Sequence, residues 1–325
     1  MLIPNNNPAF YFPLHNGRYE VKPGFFPFSA DFGNGQQDSR LFQIDKTFPH
    51  YRKNKLTARN ESLGKYICQS TPGLSFPAVN QFILNSLCQE HPDYFLFNPR
   101  HQALDCKLTD EQLVFDLNSE LDYEQSRLCT DKPYINSWDA LAMQLQEDLA
   151  IMQVNTQGQG KLLALHLCAP NHWAATDKIG KDFLSIHQSV PGMERINQRA
   201  NEINLATLNK GPFIRFAWGL ATDTRLNHHP VGPSNISGNN WRGRQFNPSR
   251  PELFLRVERQ TLTGFASEGL VLFTIRSYFY DVQKLKAEQK QQLFDAIHTM
   301  KEETLRYKGL INSKKTIECW LATQL

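Results

Sequence analysis

The chain reads as an α+β protein, on three observations. Three strand-like runs, PFIRFAWGL, ELFLRVERQTL and GLVLFTIRSYFY, follow one another over residues 212–280, and TGFASEG joins the last two tightly enough for a hairpin. Ahead of them, Trp138, Leu141, Leu145, Leu149 and Met152 in SWDALAMQLQEDLAIMQV recur at spacings of three and four. That spacing predicts an amphipathic helix with Ser137 as its N-cap. Between the two regions, NTQGQGKLLALHLCAP has the glycine turn, apolar run and closing proline of a strand.

The remaining elements follow in order. Residues 1–60 are rich in Pro, Asn, Gly and Phe and predict an irregular arm whose aromatics (Phe10, Phe12, Phe25, Phe26, Phe28) dock on the rest of the protein. Residues 76–98 read as largely helical. KIGKDFLSIHQSVPG (178–192) reads as a short helical turn, ERINQRANEINLATLN as a polar helix, and KLKAEQKQQLFDAIHTMKEETLRYKGL as a charged amphipathic helix that closes the chain. Helix, strand, short helices and three antiparallel strands form a layered arrangement with helices on one face of a sheet, and the concave face of such a sheet is a natural ligand pocket. The order is like that of a PAS domain. It divides the chain into an N-terminal arm and helical extension (1–134), a PAS-like core (135–285) and a C-terminal helix and tail (286–325).

Composition narrows the function classes. The chain has 325 residues, 40% of them hydrophobic, and its formal charge of +3 is dispersed, so neither nucleic acid nor an anionic membrane is indicated as a partner. No window approaches the roughly 20 apolar residues of a membrane span, and the N-terminus lacks the pattern of a secretion signal. A cytoplasmic location is expected, and association into an oligomer is compatible with it. The scattered cysteines form no C-x-x-C pair, which argues against a zinc or iron–sulfur site and fits a reducing compartment. GQGK lacks the spacing and the Ser/Thr of a phosphate loop.

The residues that could carry chemistry lie on the strands and in the histidines. Alternation puts Phe254, Arg256, Glu258 and Gln260 on one face of their strand, and Leu272, Thr274, Arg276 and Tyr278 on one face of the next. A polar wall of Arg256, Glu258, Thr274 and Arg276 is therefore predicted, with a solvated, salt-bridged sheet face as the structural alternative. His166, His172, His187 and the pair His228-His229 show no H-x-x-x-H spacing, so a non-haem metal site is unsupported. One helical histidine suffices for haem, although an isolated histidine is more often structural.

QEDLAIMQ (146–153), CAPNHWAATDKIGKDFLSIHQSVPG (168–192), and LRVERQTL followed by GLVLFTIRSY (255–278) together resemble, in order and spacing, the haem-dependent oxidative N-demethylase family. The resemblance implies a PAS-like subunit that holds haem b. With O2 it would remove a methyl group oxidatively from a small methylated amine such as dimethylamine, releasing formaldehyde. It also implies electron-donating reductase subunits that carry NADPH, flavin and iron–sulfur sites, whose motifs this chain lacks. His187 matches the family's IH-x-x-VP element and is implied as the axial iron ligand, with Lys178, Trp173, Trp218 and Arg276 around the cofactor. Glu258 and Arg256 match the ERQTL strand and are implied in recognising the ammonium substrate and a haem propionate, respectively. Ala217 stands before Trp218 where relatives are expected to carry Asn. Two other readings compete: a haem PAS sensor of gas or redox state, and a non-haem small-ligand-binding protein of the same fold.

Overall fold

The longest hairpin of the chain pairs Phe254–Phe265 with Leu270–Asp281, twelve residues on each side. Gly269, at φ +63°, closes its turn, where a side chain would press on the Val154 carbonyl 3.0 Å away. The computed structural model describes residues 2–14, 16–116, 122–127, 132–238, 241 and 245–325, with backbone alone at 116 and 122–127. Cys129 and residues 239, 240 and 242–244 of the polar loop after His229 lie outside the described residues.

The strands in chain order are β1 (Phe26–Pro27), β2 (Ile67–Gln69), β3 (Phe95–Asn98), β4 (Ala103–Cys106), β5 (Glu111–Asp116), β6 (Asp122–Arg127), β7 (Asp148–Val154), β8 (Gly160–His166), β9 (Phe213–Ala221), β10 (Phe254–Phe265) and β11 (Leu270–Asp281). β3 to β6 form a four-stranded meander. The others form a seven-stranded sheet in the order β1-β9-β10-β11-β7-β8-β2, each neighbouring pair antiparallel. With helices between β8 and β9, the α+β class stands.

The two faces of the large sheet have different cover. Residues directly opposite in an antiparallel pair share a face. Arg256, Glu258, Gln260 and Gly264 therefore share the front face with Gly219, Ala217 and Arg215 of β9 and with Phe279, Ser277, Ile275 and Phe273 of β11. The chain between β8 and β9 lies over this face, including the short helix Phe183–His187 and the helix Ala200–Lys210. The latter packs so closely that a Cβ on Gly264 would come within 2.0 Å of the Leu208 carbonyl oxygen. The back face carries Leu255, Val257 and Tyr278, buried with Ala9, Tyr11 and Leu14 of the arm and with Leu293, Ile297 and Trp320 near the C-terminus. Thus the aromatic arm docks as expected: Tyr11 packs on Phe216 and Tyr278, and Phe25 stacks on Phe213.

Four sequence expectations change. The predicted helix over 138–152 ends at Ala142, and β7 begins at Asp148. β7 lies between β11 and β8, so nearly all its side chains are buried and their apolar run imitates a helical period. The N-cap is Asn136, whose Oδ1 accepts from the Asp139 amide at 3.0 Å, rather than Ser137. The polar helix after His187 is two, Glu194–Asn197 and Ala200–Lys210. The C-terminal helix is three, Ala287–His298, Glu302–Tyr307 and Lys314–Ala322; turning at 299–301 and at Gly309 (φ +69°) lets Leu305 and Leu310 enter the core that holds Leu293.

The arm also contains an unforeseen helix, Phe48–Glu61. Its buried face includes Arg52, Lys55 and Arg59 as well as Phe48, Tyr51 and Ala58, so hydrophobic periodicity could not reveal it. Each cation is satisfied: Arg52 donates to Glu111 at 2.6 Å, Lys55 to the Ala142 and Glu147 carbonyls at 2.7 and 2.6 Å, and Arg59 to both Asp139 oxygens at 2.5 and 2.6 Å.

Candidate functional site

His187 is the last residue of its five-residue helix, which Asp182 caps by accepting from the Ser185 amide at 2.7 Å. The imidazole is turned back along the helix. Its Nδ1 lies 2.8 Å from the Phe183 carbonyl oxygen, which can only accept, so Nδ1 carries the proton and Nε2 the lone pair. Among the described residues Nε2 has no protein partner. Burial pulls the pKa of His187 below its usual value; the Phe183 carbonyl opposes this, while the charges of Arg215 and Lys178 reinforce it. The side chain is thus a neutral imidazole with a free nitrogen, as metal ligation requires.

Lys178 and Trp173 hold this helix in place. The Lys178 ammonium donates to the Ile186 carbonyl, next to the histidine. Trp173 packs with Ile179, Ile186 and Phe273 against the buried Ala150, Leu162 and Leu165 of the front face, making an apolar bed under the helix. A groove of about 420 Å³ runs along the outward side of the helix, past Leu184, Ser185 and Gln188, and His187 does not line it.

On the strands, the predicted wall is split by the register. Arg276 pairs with Arg259 and Thr274 with Thr261, whereas Arg256 pairs with Phe279 and Glu258 with Ser277. Arg256 and Glu258 therefore face front, and Thr274 and Arg276 face back. Arg276 is fully buried there, with Nη2 2.7 Å from Asp45, Nη1 3.1 Å from the Gln43 carbonyl and its guanidinium 4.1 Å from the Tyr51 ring. Trp218 also faces back, opposite Val257, and packs edge-on to Tyr19 with centroids 5.7 Å apart. Both residues predicted beside the cofactor are thus built into the packing behind the sheet. Alternation within each strand was right; the relation between strands depends on the hairpin register, which a loop of uncertain length leaves open.

The front face gathers charge around one carboxylate. Glu258 accepts from Gln260 Nε2 at 3.0 Å and lies 3.7 Å from Arg256 Nε. Arg256 is otherwise committed: Nη1 meets His228 Nδ1 at 3.0 Å, and Nη2 donates to the Ala169 carbonyl and Ser277 Oγ at 2.8 and 3.0 Å. His228 in turn stacks on His172 at 5.3 Å between centroids, and its Nε2 is 3.3 Å from Asp223. Burial lowers the pKa of Arg256, of Arg215 and of Lys308, the last to about 8, and Glu258 opposes the shift in each. Lys308 reaches the sheet edge from the C-terminal region, donating to the Trp218 carbonyl at 2.6 Å.

The sequence reading missed two front-face residues. Arg215, the one charge within PFIRFAWGL, lies opposite Gln260. Gly219 lies opposite Arg256, and a Cβ there would meet nothing within 4 Å. With Ala217 between them, opposite Glu258, small side chains leave room in front of the charged row. The signal for Arg215 was its isolation in an apolar strand, and for Gly219 a glycine inside a strand, which often marks close approach by something else.

A profile of the haem-dependent oxidative N-demethylase, alpha subunit-like, family matches residues 34–318. The chain belongs to that family. No curated protein matches it. Family membership makes this an oxidative N-demethylase-like alpha subunit, and the family is named for haem dependence. The site fits such a group: His187 offers one unengaged imidazole nitrogen over an apolar bed, open space lies at Gly219, and cations stand along β9 and β10. Among the described residues no cluster of three or more His, Cys, Asp or Glu side chains could hold a metal ion. No helix among them is long and apolar enough to cross a membrane.

Proposed function

We propose that this chain is the haem-binding subunit of an oxidative N-demethylase acting on a small methylated amine of the dimethylamine type. The observation that carries the proposal is His187, neutral, with Nδ1 held by Phe183 and Nε2 free, in a chain that belongs to the family. The strand order β9-β10-β11-β7-β8 is compatible with a PAS-like core, with the helices Phe183–His187 and Ala200–Lys210 between β8 and β9 over the site.

Haem b bound here would supply the activation of O2 and the oxidation of the N-methyl group, so that amine, O2, two electrons and two protons give the demethylated amine, formaldehyde and water. The chain's residues bind and orient. His187 would hold the haem iron through Nε2, and the Phe183 carbonyl fixes its tautomer. Lys178 and Trp173 hold the short helix at its height above the sheet. Glu258 faces the amine and accepts its N–H, and Gln260 fixes one carboxylate oxygen. Arg256 is a positioning residue that ties Glu258 to His228 and the Ala169 carbonyl. The apolar bed keeps water from the methyl group. Electrons come from a reductase partner that carries the NADPH, flavin and iron–sulfur sites.

The test is the absorption spectrum of the purified chain supplied with haem. A Soret band is expected, moved or lost in His187→Ala while circular dichroism stays unchanged. With a surrogate reductase, dimethylamine should yield formaldehyde. A wild-type chain that takes up no haem overturns the proposal, and an unaltered spectrum in His187→Ala removes the ligand assignment.

A further inference from the structure

Arg215 is a half-buried cation with nothing to hold. Its Nε is sealed from solvent and unbonded, and among the described residues no carbonyl, hydroxyl or carboxylate accepts from any of its nitrogens. This sets it apart from the fully buried guanidiniums. Arg52, Arg59, Arg256, Arg259 and Arg276 each place at least one Nη on an oxygen, and four of them leave only Nε unbonded. Glu258 is the one carboxylate whose charge is felt at Arg215, and it is already shared with Arg256 and Lys308. A sealed, unbonded Nε costs free energy unless something completes it, and the planar fork of a guanidinium matches a carboxylate. Arg215 also faces front, close enough to His187 for its charge to act on the imidazole.

We propose that Arg215 is the carboxylate-binding residue of this site, its free fork receiving a carboxylate of the ligand that lies between His187 and β9. The proposal rests on the functional reading above and moves the anion-binding role from Arg256, whose Nη donors are spent within the protein, to a residue whose donors are free. Two ligands could bring that carboxylate: the haem, through a propionate, or the amine, if the substrate is an N-methyl amino acid rather than a simple alkylamine. The chemistry at Arg215 is the same in both.

The experiment uses the full chain, stripped of haem and reconstituted, as wild type and as Arg215→Leu and Arg215→Lys. Affinity is measured for haem and for its dimethyl ester, and then the Soret shift produced by N-methylglycine and by dimethylamine. Wild type should prefer free-acid haem to the ester by about ten- to hundredfold, the worth of one charge-assisted pair, and Arg215→Leu should bind both alike, with Arg215→Lys between. That result assigns the propionate. If the haem preference survives in Arg215→Leu but the N-methylglycine shift is lost while the dimethylamine shift remains, the carboxylate is the substrate's. If Arg215→Leu, folded by circular dichroism, matches wild type with all four ligands, the inference is overturned. Failure of wild type to take up haem is a distinct result: it removes the functional reading and this inference together.

Discussion

Replacing Asp139 by Asn should be among the most damaging single changes in this protein. Asp139 accepts from Arg59 Nη1 at 2.5 and 2.6 Å, from His166 Nε2 at 3.1 Å and from the Ile135 amide at 2.9 Å, and the side chains of Asp139, Arg59 and His166 are all 0% exposed. Burial disfavours its ionisation, yet His166 and Arg59 hold its carboxyl below the ordinary carboxylate range. Asn keeps the shape, removes the charge and turns an amide donor toward a guanidinium that water cannot reach. Breaking one side of a fully buried pair costs about 3–5 kcal/mol, against about 0–1 kcal/mol for an exposed pair. With a urea slope near 3 kcal/mol per molar, the unfolding midpoint should fall by roughly 1–2 M. The double variant Arg59→Met/Asp139→Leu should recover much of the loss, since it leaves no charge without a partner. A fall of less than about 1 kcal/mol in Asp139→Asn, at unchanged slope, would show that water reaches the pair and would refute the reasoning.

Two further outcomes can be checked. Gly219→Leu projects into open space in front of Arg256, so melting should stay near wild type while haem uptake, by titration, falls about tenfold or more; unchanged uptake would place the ligand elsewhere. His91 is buried with Nε2 2.7 Å from the Phe42 carbonyl, and burial lowers its pKa to about 4. Because the unfolded chain takes up this proton first, near pH 6.5, the stability linked to neutral His91 is present above pH 6.5 and lost as pH falls toward 4. Relative to His91→Gln, wild type should lose up to about 3 kcal/mol across that window in denaturation curves taken at each pH, and a difference independent of pH would count against it.

How much of this was legible follows the range of the interactions. The strands from 213 to 281, their hairpin and the short helix under His187 were readable because alternation, turn residues and caps act over a few positions. The family was readable from QEDLAIMQ, the segment around His187 and ERQTL. By itself, then, the sequence determined the class of the fold, the family and the strands from 213 to 281, and it singled out the histidine for which we propose a ligand role.

Tertiary structure decided the rest, since it depends on pairings across long stretches of chain. The register of β10 against β11 sent Arg276 and Thr274 behind the sheet, because a strand's period of two makes a shift of one residue reverse its faces. The helix Phe48–Glu61 hides a charged face that is stable only because Glu111, Asp139 and the carbonyls of Ala142 and Glu147 meet it from more than fifty residues away. β7 looked helical because burial on both faces erases alternation. Arg215 is the sharpest case. In sequence it is one arginine in an apolar strand, and only the register and the hydrogen bonding show that it faces front with its Nε buried and unbonded.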